Sequence, residues 1–440
     1  MRCASRPMPG RTVSDSMNPR LLSIALAANC IVLLACAREP THPAEAGAQA
    51  VPPLVPIERP VETVRIGVVG PLTGPASGYG TSQLDGVTLA AEEINARAEE
   101  TRRRVELIPV DDQGNMSLAG DLVVNLVYEQ EVNAIIGAIN SAVTHVVEMV
   151  VAKTQVPMIT TTSTDPSITR TGTYWVFRCL ADDVLQGRAL ATRLFGTDGR
   201  KRVALFREDN RYGKMGGAEI ARIAKEAGTP VVVDLFFSGK AERFDEPIEA
   251  LRKSNADALV LWGLYTPCAR LVRQIRDAGI GLPIYGADGM VHPAFLQGAG
   301  EAAEGVIVTF PFNPCRPDPV TRDFLSRFHA RFGHAPDSFA AHSYDALQII
   351  WAAIERGDCT DRPCIKDNML QTKHHPGVTG TITLDKEGND TREVELAVVS
   401  RGRFVPLSAP TGTPGPPGAP WTVGPELSGS VSCPGAPGTR

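Results

Sequence analysis

The chain lacks most of what would point to catalysis or to nucleic acid. Basic residues never run longer than three, and the net charge is −5. Nucleic-acid binding usually needs a clustered basic face. The triplet Arg102, Arg103 and Arg104 lies between an expected helix and an expected strand, where a solvated turn accounts for it. No Cys-x-x-Cys and no Cys/His cluster is present, so no zinc ligand set is expected. The pair His374 and His375 stands alone. No order of Ser, His and Asp suggests a triad, and no glycine loop suggests a phosphate cradle. Asp111 and Asp112 are adjacent on an extended segment, so their side chains point opposite ways. No enzyme, cofactor or metal is expected. The apolar run from Leu21 to Ala35 is too short for a good membrane span.

That run has another reading. Met17, Asn18, Pro19 and Arg20 form a short positive flank, and Leu33, Leu34 and Ala35 precede Cys36. A positive flank, a short apolar stretch and a small residue describe a secretory signal peptide. The word Leu-Leu-Ala-Cys resembles the lipobox of bacterial lipoproteins. The resemblance implies that residues 1–35 are removed and that Cys36 takes lipid. The mature protein is then expected outside the inner membrane, periplasmic or cell-surface and lipid-anchored. Each buried methylene of such an anchor contributes about 0.8 kcal/mol.

Residues 36–62 are rich in Pro and Ala and read as a tether. Residues 408–440 are rich in Pro, Gly and Ser and read as a disordered tail. The nine cysteines fit an oxidising compartment. Cys3 and Cys30 fall in the signal segment and Cys36 in the lipobox, which leaves six. Cys359 and Cys364 are expected to pair across a small loop; a less favoured pairing joins Cys268 to Cys315.

Between the tails, short apolar runs alternate with amphipathic stretches. Val64–Val69 reads as a strand, and residues 81–97 as a helix with Leu84, Val87, Ala91 and Ile94 on one face. Strands at 105–110, 134–136 and 157–159 follow, separated by helices at 118–129 and 142–153. The rhythm restarts at Val203–Phe206, with strands at 231–237, 258–262, 283–285 and 306–309. Helices over 319–331 and 338–356 come last, the second with Tyr344, Leu347, Trp351 and Ile354 on a core stripe. This β-α alternation predicts an α/β fold of two doubly wound parallel-sheet lobes joined by a hinge.

In such sheets ligands bind beyond the carboxyl ends of strands, near helix N-termini. Tyr79 is the one large side chain in the glycine- and proline-rich loop 70–80. Ser141 and Thr144 follow the strand at 134–136, where Asn140 or Ser141 can cap a helix. The hydroxyl run with Thr162 and Thr164 follows the next strand. Two hydroxyl-rich helix starts suit a carboxylate, because dipole and donors both favour an anion. Further strands are followed by Tyr212, Tyr265 and Asp288, though a lone Asp beside Gly is more often a turn former.

These words resemble the branched-chain amino-acid-binding proteins of ABC importers, with the type I periplasmic-binding fold, from about Val64 to Pro406. The similarity rests on Ile66-Gly-Val-Val-Gly-Pro-Leu-Thr-Gly74 with Tyr79 and Gly80, and on Ala90-Ala-Glu-Glu-Ile-Asn95. Asp111 and Asp112, Ile136 and Gly137, Asn140 and Ser141, Phe177 and Arg178, Tyr212 and Gly213, and Glu304 and Gly305 extend it. The resemblance implies one lobe over 63–182 and 314–390 and a second over 183–313 and 391–407, with linkers near Ala181, Asn313 and Asp390. It implies a small amino-acid-like ligand delivered to a membrane ABC permease. Ser141, Thr162 and Thr164 would hold its carboxylate and Asp288 its ammonium, with Tyr79, Tyr212 and Tyr265 lining the cleft. Asp288 departs from the pattern, being one methylene shorter than the usual Glu. Trp262 and Leu264 also replace smaller or polar residues. Two alternatives share the fold: a ligand sensor, or a binder of amides, urea or small organic or aromatic acids.

Overall fold

A computed structural model describes residues 60–172, 174–407, 429–431 and 433. The signal segment, Cys36, nearly all of the tether and most of the tail lie outside the described residues. Among the described residues no helix is long and apolar enough to cross a membrane.

The first sheet holds β1 (Glu62–Gly70), β2 (Arg103–Asp111), β3 (Ala134–Ile136), β4 (Met158–Thr160) and β5 (Val176–Arg178) in the parallel order β2-β1-β3-β4-β5. Its connections carry α1 (Ser77–Asn95), α2 (Ala98–Thr101), α3 (Met116–Tyr128) and α4 (Ser141–Thr154). The helix starts are chemical: the Asn115 side chain accepts from the Ser117 and Leu118 N–H groups, filling orphan donors of α3.

The chain then enters α5 (Asp183–Ala191) and β6 (Val203–Glu208), followed by α6 (Arg211–Glu226), β7 (Val231–Phe237) and α7 (Asp245–Lys253). Next come β8 (Ala258–Trp262), α8 (Tyr265–Asp277), β9 (Ile284–Gly286), α9 (Pro293–Ala299) and β10 (Ile307–Phe310). Every residue of β8 is buried, as an interior parallel strand covered on both faces must be.

Helices α10 (Pro319–Phe332), α11 (Ser338–Gly357) and α12 (Arg362–Met369) lead to the small hairpin β11 (His375–Gly377) and β12 (Gly380–Ile382). The chain closes with β13 (Glu395–Ser400) and β14 (Arg403–Pro406). These two join the second sheet, whose order is β14-β13-β10-β9-β8-β6-β7. Both run antiparallel to their neighbours. Helix α11 returns to pack on α1 of the first sheet. The approach is close because Gly86 has no side chain: a Cβ there would lie 2.1 Å from the Ala340 carbonyl oxygen.

The chain therefore passes between the two sheets three times, at 179–182, 311–318 and 383–394. Asp182 caps α5 through the Leu185 N–H, and Asp318 caps α10 ahead of Pro319. The first two crossings thus end on pinned helix starts, and the third runs into β13.

Several expectations change here. Helix α1 begins at Ser77, not Thr81, so Tyr79 sits on its first turn rather than in a loop. Tyr265 likewise opens α8. Cys359 and Cys364 are bonded, with Cys364 inside α12. Cys315 is bonded to Cys433, while Cys268 is buried and carries no disulfide. That excludes the Cys268–Cys315 pairing. Within the tail, Val431 pairs with Phe404 beside the Cys315–Cys433 bond.

Candidate functional site

The carboxyl ends of both sheets face a cavity of about 230 Å³. The first sheet and its helices contribute Tyr79, Met116, Ile139, Ser141 and Thr162. The second contributes Arg211, Tyr212, Leu264 and Asp288, and Phe339 comes from α11. Tyr79, Ser141, Thr162, Tyr212 and Asp288 were expected from the sequence and converge here.

The first-sheet wall is built from the backbone outward. Asn140 takes the cap position of α4 without a side-chain cap bond, and Ser141 is the first helical residue. The hydroxyl loop after β4 is held from below by Arg178, fully buried. Its Nη1 donates to the Ser163 and Asp165 carbonyls at 3.2 and 2.7 Å. Its Nη2 donates to Asn389 Oδ1 at 2.7 Å. A buried guanidinium spent on carbonyls fixes this loop. Ser141 at the helix start and Thr162 on the loop line the cavity, and a helix N-terminus favours an anion.

Thr144 and Thr164 do not line it. The Thr144 hydroxyl faces the Asn140 carbonyl at 3.0 Å and the Ala138 carbonyl at 3.2 Å, and contacts Ser163 Oγ. It braces the loop from behind. Thr164 is buried, with its carbonyl accepting from the Asp183 N–H at 2.8 Å.

The opposite wall carries the negative group. Asp288 is 7% exposed, and its Oδ1 accepts from the Tyr212 hydroxyl at 2.7 Å. Burial raises the Asp288 pKa above the ordinary carboxylate value. Burial, together with the charge of Asp288, raises Tyr212 well above its own. Asp183, fully buried at the start of α5, is also pushed well up, first by burial and then by the Asp288 charge. A cation arriving beside Asp288 would relieve this crowding of negative groups.

One edge is closed by aromatic rings. Tyr79 donates to the Gly289 carbonyl at 3.1 Å, crossing from the first sheet's side to the second's. Tyr265 crosses the other way, donating to the Pro75 carbonyl at 3.3 Å. Their rings meet edge to face at 4.8 Å, with His292 stacked on Tyr265 at 4.2 Å. Tyr265 thus stands behind Tyr79 and seals the edge without lining the cavity. Trp262 is fully buried beneath the site, against Tyr212 and over Gly216 of α6. It shapes the pocket indirectly, whereas Leu264 lines it directly.

Sequence reasoning missed Met116, Ile139, Arg211 and Phe339. Arg211 stands one residue before Tyr212 and could have been found by that adjacency. Phe339 had no local signal, because α11 reads as a core helix and reaches the site only through its packing on α1.

Comparison with known proteins agrees with this geometry. A match to the periplasmic binding protein family spans residues 63–402. The chain belongs to the periplasmic binding protein family. Its fold is the type I form, with two α/β lobes around a cleft. A leucine-, isoleucine-, valine-, threonine- and alanine-binding protein of Pseudomonas aeruginosa is 26% identical over 328 residues, covering 74% of this chain and 87% of that protein. The crystal structure of a leucine-binding protein from Thermotoga maritima superposes with a TM-score of 0.75 at 28% identity, covering 78% of this chain and 98% of that one. A branched-chain amino acid transporter substrate-binding protein from Streptococcus pneumoniae, solved with isoleucine, gives 0.72 at 26% identity, covering 78% and 98%.

Proposed function

We propose that this chain is an extracytoplasmic, lipid-anchored solute-binding protein that captures a small amino-acid-like ligand in the cleft and delivers it to an ABC importer. One arrangement carries the reading. The N-terminus of α4 with Ser141 and Thr162 faces a cavity whose far wall holds the buried Asp288. A zwitterion fits that polarity, carboxylate toward the hydroxyls and helix start, ammonium toward Asp288. Ile139, Leu264, Met116 and Phe339 supply apolar surface for a hydrocarbon side chain. The relatives that bind leucine, isoleucine and valine support the same class of ligand.

In this reading the lobes are 63–182 with 314–390 and 183–313 with 391–407, and the three crossings form the hinge. Ligand touching both walls favours the closed state by its differential contacts. The closed form then offers the permease a surface that the open form does not.

Asp288→Ala tests the assignment. For leucine, binding by calorimetry should weaken by about 2–5 kcal/mol, the range for breaking a desolvated charge pair. The deaminated acid of the same skeleton should show no such loss. Equal affinity of wild type and variant for leucine defeats the zwitterion reading.

A further inference from the structure

We propose that Arg211 is a positioning residue for closure: it ties the two lobes together through Asp165 and thereby sets how tightly any ligand is held. The proposal rests on the reading of the chain as a hinged solute-binding protein.

Arg211 opens α6 on the second lobe, while Asp165 follows β4 on the first. Across the cleft, Arg211 Nε meets Asp165 Oδ2 at 2.5 Å, and Nη2 donates to Ser167 Oγ at 3.1 Å. The acceptor is preorganised within its own lobe. Asp165 Oδ1 accepts from the Ser167 N–H at 2.9 Å and from its hydroxyl at 2.7 Å. His145 Nε2 meets Asp165 Oδ2 at 2.9 Å, and His145 Nδ1 meets Glu148 Oε2 at 3.0 Å. The first lobe thus keeps the Asp165 carboxylate satisfied without Arg211. Opening the cleft strands no buried charge, and closing it adds one ion pair.

That added pair is stronger than an ordinary surface bridge. The Asp165 side chain is fully buried, so its field is poorly screened, whereas the Arg211 side chain is 40% exposed and returns to water when the lobes part. A contact made only in the closed state multiplies the closed population. Apparent ligand affinity rises by the same factor, since ligand binds the closed form. The partly solvated Arg211 also makes the factor fall with salt.

The test uses the mature protein with fluorophores on opposite lobes, comparing wild type, Arg211→Ala and Arg211→Lys, with leucine as probe. Wild type should contract on adding leucine. Arg211→Ala should lower the unliganded closed fraction and weaken leucine binding by one common factor of about 5–30-fold, chiefly by faster dissociation. Arg211→Lys should fall between. Unchanged affinity in Arg211→Ala overturns the proposal. So does weaker affinity with an unchanged unliganded distribution, which would make Arg211 a ligand contact. If wild type itself neither binds leucine nor contracts, the solute-binding reading falls and takes this proposal with it, an outcome visible before any variant is made.

Discussion

The Tyr212 hydroxyl sits between two partners: it donates to Asp288 Oδ1 at 2.7 Å and accepts from the Gly289 N–H at 3.0 Å. The backbone bond aims the phenol, and the phenol steadies the carboxylate. The Asp288 carboxylate is therefore held by a neighbouring side chain.

Tyr212→Phe removes that steadying bond while keeping the ring. Hydrogen bonds to charged groups contribute about 1.5–3 kcal/mol. Leucine should accordingly bind roughly 10- to 150-fold more weakly by calorimetry. An affinity equal to wild type would show that Asp288 needs no help from Tyr212.

His145 gives a pH signature. Its bonds to Asp165, then to Glu148, raise its pKa from 6.5 to about 9, against burial and the nearby Arg211 charge. A raised pKa in the folded state means stability that is complete below about pH 6.5 and is lost as pH climbs through 9. Denaturant midpoints should fall between pH 7 and pH 10 more steeply for wild type than for His145→Gln. Asp165 behaves oppositely. Burial opposes its charge, but His145, Ser167 and Arg211 outweigh that and lower its pKa, so its contribution is complete above the ordinary carboxylate value and is lost as pH falls below it. Parallel curves for wild type and His145→Gln above pH 7 would contradict the ion pair.

The anchor is tested apart from the site. Cys36→Ser should move the protein from the membrane fraction to the soluble fraction while leaving leucine affinity unchanged. Retention on salt-washed membranes would refute lipid attachment at Cys36.

The β-α rhythm was legible because buried parallel strands read as apolar runs and helices carry a 3.6-residue stripe. Three kinds of feature were not. Tyr79 and Tyr265 were placed in loops because the glycines and prolines beside them suppress the local helix signal, yet tertiary packing makes both first-turn residues. Phe339 reaches the cleft only through the α1–α11 contact, which no short window of sequence contains. Cys433 sits in a Pro- and Gly-rich stretch whose composition gives no hint that a covalent bond holds it to Cys315. Strand ends together with the family resemblance pointed to Ser141, Thr162 and Asp288, which line the cavity, and equally to Thr144, Thr164 and Tyr265, which do not.

The return of α11 to α1 also orders events during synthesis. The strands of the first sheet are complete by Arg178, but the buried face of α1 waits for a helix that ends at Gly357. The whole second lobe up to β10 emerges in between. A nascent chain therefore carries an apolar surface that it cannot cover with its own earlier residues, a species prone to aggregation. The first lobe therefore lacks its closing helix until nearly all of the described chain has been made.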